Sequence, residues 1–385
     1  MADPAGFDVL PVEVIHRILD CLDIETIFRS LYGVCRRINY TLGTYNRYRL
    51  NLKSISKHDF HLICRLIPHQ QVVALTLSDG KDTPGQTGLF LSRFNIKDFV
   101  RLSSLTLDNI DDVDLRKLMS TISLKSLKYL SIDCPKGCRT ETHHLLKSLL
   151  VGHSLQRLSL GSRSLCKILT QNNVTNLKHL TLNACRLSQI EEILSLSTSL
   201  ETLILTKVRM DADDDLQNID SSFNSPKLIF LSVSSSFLTM DAFVNFFNWL
   251  IPGSKQLEHL RIISDRDDET FFDGSRWESL LSTTSLSQFQ FHFRANLTTN
   301  DSINEILLPF RSNFWLNEKR WYVACDKHRI LNQSVLYSIP WCDEQVIWQP
   351  LMSFETANTM SNNECSIFSG VNHIHIKLNC SVCIF

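Results

Sequence analysis

The residue types in this chain that could do chemistry are few, and their spacing argues against most of it. Cys380-Ser-Val-Cys383, with His373 and His375 nearby, offers the thiolates and imidazoles that suit zinc. The two histidines, however, alternate with Ile374 and Ile376 as on a strand with the isoleucines inward. No second Cys-x-x-Cys completes a four-ligand set. Asp211-Ala-Asp213-Asp214-Asp215 has the carboxylate density of a calcium loop. Leu216 nevertheless stands where the tight turn needs glycine, and Ser222 where a bidentate glutamate is needed. Asp265-Arg-Asp-Asp-Glu269 reads as a solvated turn for the same reasons. No GxxxxGK[ST], GxSxG or HExxH pattern occurs, and 12 glycines in 385 residues argue against loops that cradle phosphate. Nothing places a nucleophile beside a base. The expectation is a non-catalytic chain with no metal and no cofactor.

The elements behind these residues form a repeat. Leu102-Ser-Ser-Leu105-Thr-Leu107 recurs as Leu127-Lys-Tyr-Leu130-Ser-Ile132 and Leu155-Gln-Arg-Leu158-Ser-Leu160. Related phrases occupy 72–77, 177–182, 200–205, 228–233, 257–262 and, with phenylalanine, 286–291. The fourth residues are Leu75, Leu105, Leu130, Leu158, Leu180, Leu203, Leu231, Leu260 and Phe289, in steps of 30, 25, 28, 22, 23, 28, 29 and 29. A period in the twenties marks a solenoid whose units must stack to bury their apolar faces. The two-residue spacing that ends each phrase is that of a strand with one buried face. Helical stripes lie between phrases: Leu145, Leu146, Leu149 and Leu150 after Thr142, and Phe243, Phe246, Phe247 and Leu250 after Asp241, the expected helix cap. Strand, helix and strand in one sense give an α/β leucine-rich-repeat horseshoe, with parallel strands on the concave side and helices outside. Residues 49–295 are assigned to it, with Arg49-Leu-Asn-Leu52 as a degenerate opening strand. Residues 296–385 are read as C-terminal repeats and an aromatic-rich cap holding Trp315, Trp321, Trp341 and Trp348, with a strand near Arg320-Trp-Tyr-Val-Ala.

The first 48 residues break the period. Leu10-Pro11 opens a helix, with proline at its first position, and Ile15, Ile18, Leu19 and Leu22 form its stripe. Asp23 caps a second helix carrying Ile24, Ile27, Phe28 and Leu31. Gly33 makes a turn, and Val34-Cys35-Arg36-Arg37 starts a third helix. So small a bundle leaves apolar surface to be covered by something else. The Leu10-Pro11 start, this stripe and Val34-Cys-Arg-Arg together resemble an F-box, and with the repeats the chain resembles the F-box/leucine-rich-repeat family. That resemblance implies docking to a Skp-type adaptor and through it to a cullin–RING ubiquitin ligase, with the repeats choosing a protein substrate. It nominates Leu10, Pro11, Ile15, Ile18 and Leu22 for the adaptor face, supported by Ile27, Phe28 and Val34. Family members commonly carry tryptophans where this chain has Ile38-Asn39 and Tyr45 to Tyr48.

Residues between the strand leucines point onto the concave face. The central column, Thr76, Thr106, Ser131, Ser159, Thr181, Ile204, Ser232, Arg261 and Gln290, is short and largely hydroxylic. In the preceding column Tyr129, Arg157 and His179 make one patch, and Phe230 and His259 make a second with Arg261. Aromatic and arginine side chains are the usual anchors of protein interfaces, so these six residues are the candidates for substrate contact. A formal charge of −1 supplies no field for nucleic acid or anionic membrane, and neither is expected as a partner. The opening Met-Ala-Asp-Pro lacks a signal-peptide pattern, and the 12 cysteines are scattered. A reducing cytoplasmic or nuclear setting is expected, with most thiols acting as small buried hydrophobes, as Cys185 does after the strand leucine Leu180. The rival readings are a repeat scaffold or inhibitor that never meets a ligase, and a hydrolase or metal enzyme within 296–385.

Overall fold

The computed structural model describes residues 10–122, 126–150, 155–169, 176–208, 227–251, 256–297, 302–328, 333–340, 345–348, 354–360 and 373–376. The chain is α/β and divides into two units, Met1–Leu182 and Asn183–Phe385. Among the described residues no helix is long and apolar enough to cross a membrane.

The first unit is a parallel ladder in sequence order: β1 (Tyr48–Asn51), β2 (Val72–Ser78), β3 (Ser104–Asp108), β4 (Tyr129–Ile132), β5 (Arg157–Leu160) and β6 (His179–Asn183). The register follows the sequence phrase. Leu75 lies beside Leu105, then Leu130, Leu158 and Leu180. All five are 0–2% exposed, while the residues between them stay half-exposed. The opening strand expected at Arg49 is present as β1, paired with β2. Helices Lys57–Leu66, Gln86–Arg93, Asp112–Thr121 and Thr140–Leu150 carry the chain from strand to strand. Side chains end the first and third cleanly at their starts: the Ser56 hydroxyl accepts from Asp59 N at 3.1 Å and the Asp111 carboxylate from Asp114 N at 2.8 Å.

In the second unit β7 (Thr202–Thr206), β8 (Phe230–Ser234), β9 (His259–Ser264) and β10 (Gln288–Asn296) pair in parallel with a register of the same kind, Leu203 to Leu231 to Leu260 to Phe289. Beyond β10 the pattern changes. The hairpin β11 (Tyr322–His328) and β12 (Gln333–Ile339) joins β10 through β12, antiparallel, and β14 (Phe354–Asn358) adds antiparallel to β11. Among the described residues no parallel strand follows β10 in this ladder. β13 (Gln345–Trp348) and β15 (His373–Ile376) instead form a separate two-stranded parallel sheet. The core here is aromatic: Trp277, Phe289, Phe291, Phe293, Phe310 and Trp315 are 0–3% exposed. Trp277, on helix Gly274–Leu281, lies 5.1 Å from Phe289 and 5.6 Å from Phe293 between ring centroids. The helix thus covers the leucine side of the strands. Helix Met240–Leu250 buries Phe243, Phe246, Phe247 and Leu250 as its period requires, but its cap is Thr239, whose hydroxyl accepts from Ala242 N at 3.2 Å. Asp241 sits within the first turn, two residues after the cap, and pairs with Arg276.

The N-terminal module in the first unit consists of helix Val12–Asp20, a short helix Ile24–Thr26 that widens into a π turn at Ile27–Leu31, and helix Arg36–Thr44. Asp23 caps the second by accepting from Thr26 N at 2.7 Å, and Gly33 takes φ +85° at the following turn. Pro11 stands just outside the first helix, at the cap position with ψ 147°, rather than as its first residue.

Candidate functional site

Two surfaces hold the residues singled out from the sequence. The first is the N-terminal module. Its interior is closed by tyrosine packing. Tyr48 is 1% exposed, donates to the Leu42 carbonyl at 2.7 Å, and stands edge-on to Tyr45 at 4.8 Å. Tyr45 donates to Asp20 at 2.7 Å, and Arg47 pairs with the same carboxylate at 2.9 Å. Burial first, then the Asp20 hydrogen bond, pushes the Tyr45 phenol up to about 12. Burial raises Tyr48 as well.

A second device fastens this module to the repeats. Arg29, in the π turn, donates to both carboxylate oxygens of Asp59, through Nε at 2.9 Å and through a shorter second contact. Asp59 lies in the first turn of helix Lys57–Leu66, is 2% exposed, and also accepts from the Ser56 hydroxyl. These bonds, led by that of Arg29, hold its carboxyl well below the usual range.

The adaptor-face nominations divide by burial. Pro11 and Val34 are exposed, and Leu10, Ile18 and Leu22 are half-buried. Ile15, nominated for the face, is 0% exposed and belongs to the module's own core. Ile27 and Phe28, at 3% and 5%, support it from inside. A helical stripe in so small a bundle is consumed by its neighbours, so its centre line is unavailable to a partner. The exposed apolar surface comes from residues off that stripe: Val14 at 39%, Tyr32 at 48%, Val34 at 62% and Tyr40 at 69%. Sequence reasoning passed over Val14, Tyr32 and Tyr40 because it followed the stripe; their signal was large apolar residues at positions the period assigns to solvent. Arg37 donates to the Leu10 carbonyl at 2.7 Å, which ties the Val34-Cys-Arg-Arg segment to the Leu10-Pro11 start.

The second surface is the strand face opposite the helices. The Lys128 carbonyl accepts from both Gln156 N and Arg157 N at 2.9 Å, and the Gln156 carbonyl from Lys178 N at 2.9 Å and His179 N at 3.0 Å. These forked bonds set Tyr129, Arg157 and His179 side by side on β4, β5 and β6, one strand step of ~4.8 Å apart. Arg157 is exposed, and Tyr129 and His179 are half-buried. In the second unit the Ile229 carbonyl accepts from Glu258 N and His259 N at 3.0 Å. There Phe230 and His259 face each other at 6.5 Å, with Arg261 beside Ser232. The central column is half-exposed as expected except at Ser232, which is 5% exposed.

Among the described residues no group of three or more His, Cys, Asp or Glu side chains is arranged to hold a metal. Cys380, Cys383 and the Asp211–Asp215 run lie outside the described residues, as does Trp341. No protein-family model and no curated protein matches this chain.

Proposed function

We propose that this chain is a non-catalytic substrate receptor of an SCF-type ubiquitin ligase, with an F-box at its start and a leucine-rich-repeat horseshoe behind it. Its partners on this reading are a Skp-type adaptor, through it a cullin–RING ligase, and a protein substrate held on the strand face. Its setting is the cytoplasm or nucleus. The observation that carries the reading is the pairing of two features in one chain. One is a three-helix module with the Leu10-Pro11 and Val34-Cys-Arg-Arg signature and four large apolar residues 39–69% exposed. The other is a run of parallel strands whose register lines Tyr129, Arg157 and His179 into one patch and Phe230, His259 and Arg261 into another.

The mechanism is proximity. The chain supplies no reacting group; one surface grips the adaptor while the other holds a protein where the ligase can reach it. The Arg29–Asp59 clasp suits this role, because it fixes the angle between the gripping module and the first repeat. The second reading, a scaffold or inhibitor that never engages a ligase, draws on the tyrosines and Ile38-Asn39 that replace the family's tryptophans. Co-purification with a Skp-type adaptor separates the two. Pro11→Asp and Val34→Asp alter exposed positions, so the fold survives them. Burying an unpaired carboxylate at an interface costs about 2–5 kcal/mol, so adaptor recovery falls by at least tenfold. Recovery of no adaptor by the unaltered chain would leave the scaffold reading standing.

A further inference from the structure

The helix layer of the first unit carries a groove that neither proposed grip uses. Its cavity of 620 Å³ lies between helix Lys57–Leu66 and the end of helix Gln86–Arg93. His58, His61 and Arg65 fall three and four residues apart on the first helix, which sets them on one side of it. Arg93 is the last residue of the second helix. Leu62, Cys64 and Phe94 supply the apolar part of the lining, and no aspartate or glutamate belongs to it among the described residues. Phe94 is fixed in place by Phe90 at 5.0 Å and Phe99 at 5.8 Å between ring centroids. Burial pushes the Cys64 thiol up to about 11 although Arg93 is near, so this wall carries no negative charge. Asp59, 3.6 Å from the His58 ring, is already engaged by Arg29 and Ser56. Arg65 and Arg93 are exposed and pair with no carboxylate among the described residues.

We propose that this groove binds a nucleoside diphosphate, with the phosphates on Arg65 and Arg93 and the base against Leu62 and Phe94. The volume falls within the range of small-molecule sites, about 300–1,000 Å³. A lining with cations and no acid selects an anion, and a guanidinium fork matches two phosphate oxygens at once. Two such forks on opposite sides of the groove suit two phosphates, and the His58 and His61 rings can donate further N–H bonds. The apolar wall selects the body of the ligand. Inorganic diphosphate would leave Leu62 and Phe94 uncovered, whereas a flat base can lie on an aromatic ring whatever its identity. The shortage of glycine that argues against a phosphate-cradling loop does not bear on this groove, because side chains rather than backbone amides supply its donors. The site does not depend on the receptor reading, since no residue of either grip lines it.

Isothermal titration of the full-length chain with ADP, GDP, UDP, inorganic diphosphate and adenosine tests this. The expected result is saturable one-to-one binding of at least one of the three nucleotides, with diphosphate and adenosine each weaker. Arg65→Gln and Arg93→Gln each remove charge-assisted hydrogen bonds and should weaken that binding about tenfold. Both arginines are exposed and unpaired, so the fold survives the changes. Arg101→Gln removes the same charge from an exposed position outside the groove and should leave the affinity unchanged. The proposal is overturned if none of the three nucleotides saturates by about 1 mM. It is equally overturned if Arg65→Gln and Arg93→Gln bind as the unaltered chain does, or if diphosphate alone binds as tightly as the nucleotide.

Discussion

The two strand ladders obey one register but are filled with different materials. In the first unit the buried column is aliphatic: Leu75, Leu105, Leu130, Leu158 and Leu180 each lie directly beside the next. In the second unit the column is leucine through Leu203, Leu231 and Leu260 and turns aromatic at Phe289, where the space above it is packed with Trp277, Phe293 and Trp315. The difference follows from what comes next along each ladder. A strand followed by a like strand needs only a leucine-sized plug, because the neighbouring unit closes the layer. Among the described residues β10 meets no further parallel repeat; an antiparallel hairpin takes its open edge, and aromatic side chains pack beside it. The lesson is that the period fixes register, while the end of the stack fixes side-chain size.

The comparison breaks most sharply at Trp277. Trp277→Ala empties a site where four aromatic rings converge, Phe243, Phe271, Phe289 and Phe293. It should cost about 3–5 kcal/mol, read as a lowered denaturant midpoint. Leu158→Ala in the aliphatic ladder should cost about 2–5 kcal/mol, toward the low end if the smaller neighbours collapse around the gap. A loss at Leu158 larger than at Trp277 would reverse the argument that the aromatic end closes the stack. Smaller effects are expected where both units use the same device. Thr239→Ala and Asp111→Ala each remove one helix cap, in the second and first unit respectively, and should cost about 1 kcal/mol apiece.

A pH experiment separates the units by another route. Asp59 has a folded-state pKa below its unfolded value of roughly 3.9. The unfolded chain therefore binds this proton more readily than the folded one does. The stabilisation is fully present above about pH 4 and is lost as pH falls below that value. Acid unfolding followed by a probe near Tyr48 should shift to higher pH in Asp59→Asn, while a probe near Trp277 should not move. Equal shifts at both probes would mean that the Arg29–Asp59 clasp acts on the whole chain.

Much of this was legible in the sequence, for a physical reason. A Leu-x-x-Leu-x-Leu phrase specifies both which side of a strand is buried and which residue lies beside its counterpart one repeat on, so the register from Leu75 to Leu180 and from Leu203 to Phe289 follows from alignment of the phrases alone. The helix stripe at Phe243, Phe246 and Phe247 was equally plain. What failed is what periodicity does not encode. Ile15 lies on an apolar stripe, but a stripe says which side is apolar and not what covers it; the module's own helices do. Asp241 and Thr239 are both good caps, and only the chain's entry angle chooses between them. The antiparallel pairing after β10 was hidden because the strand character of Tyr322–His328 says nothing about the direction in which the strand runs. The Arg29–Asp59 clasp joins residues 30 apart across an element boundary, and no local pattern signals it.

The central claim is that one chain carries two separate grips, and a single affinity purification with quantitative mass spectrometry tests it. The tagged full-length protein is compared with Val34→Asp and with the combined alanine variant at Arg157, His179, Phe230 and His259. The account predicts that Val34→Asp loses the Skp-type adaptor and keeps the other bound proteins, while the fourfold variant keeps the adaptor and loses them. Retention of the adaptor by Val34→Asp together with an unchanged set of partners in the fourfold variant would contradict it.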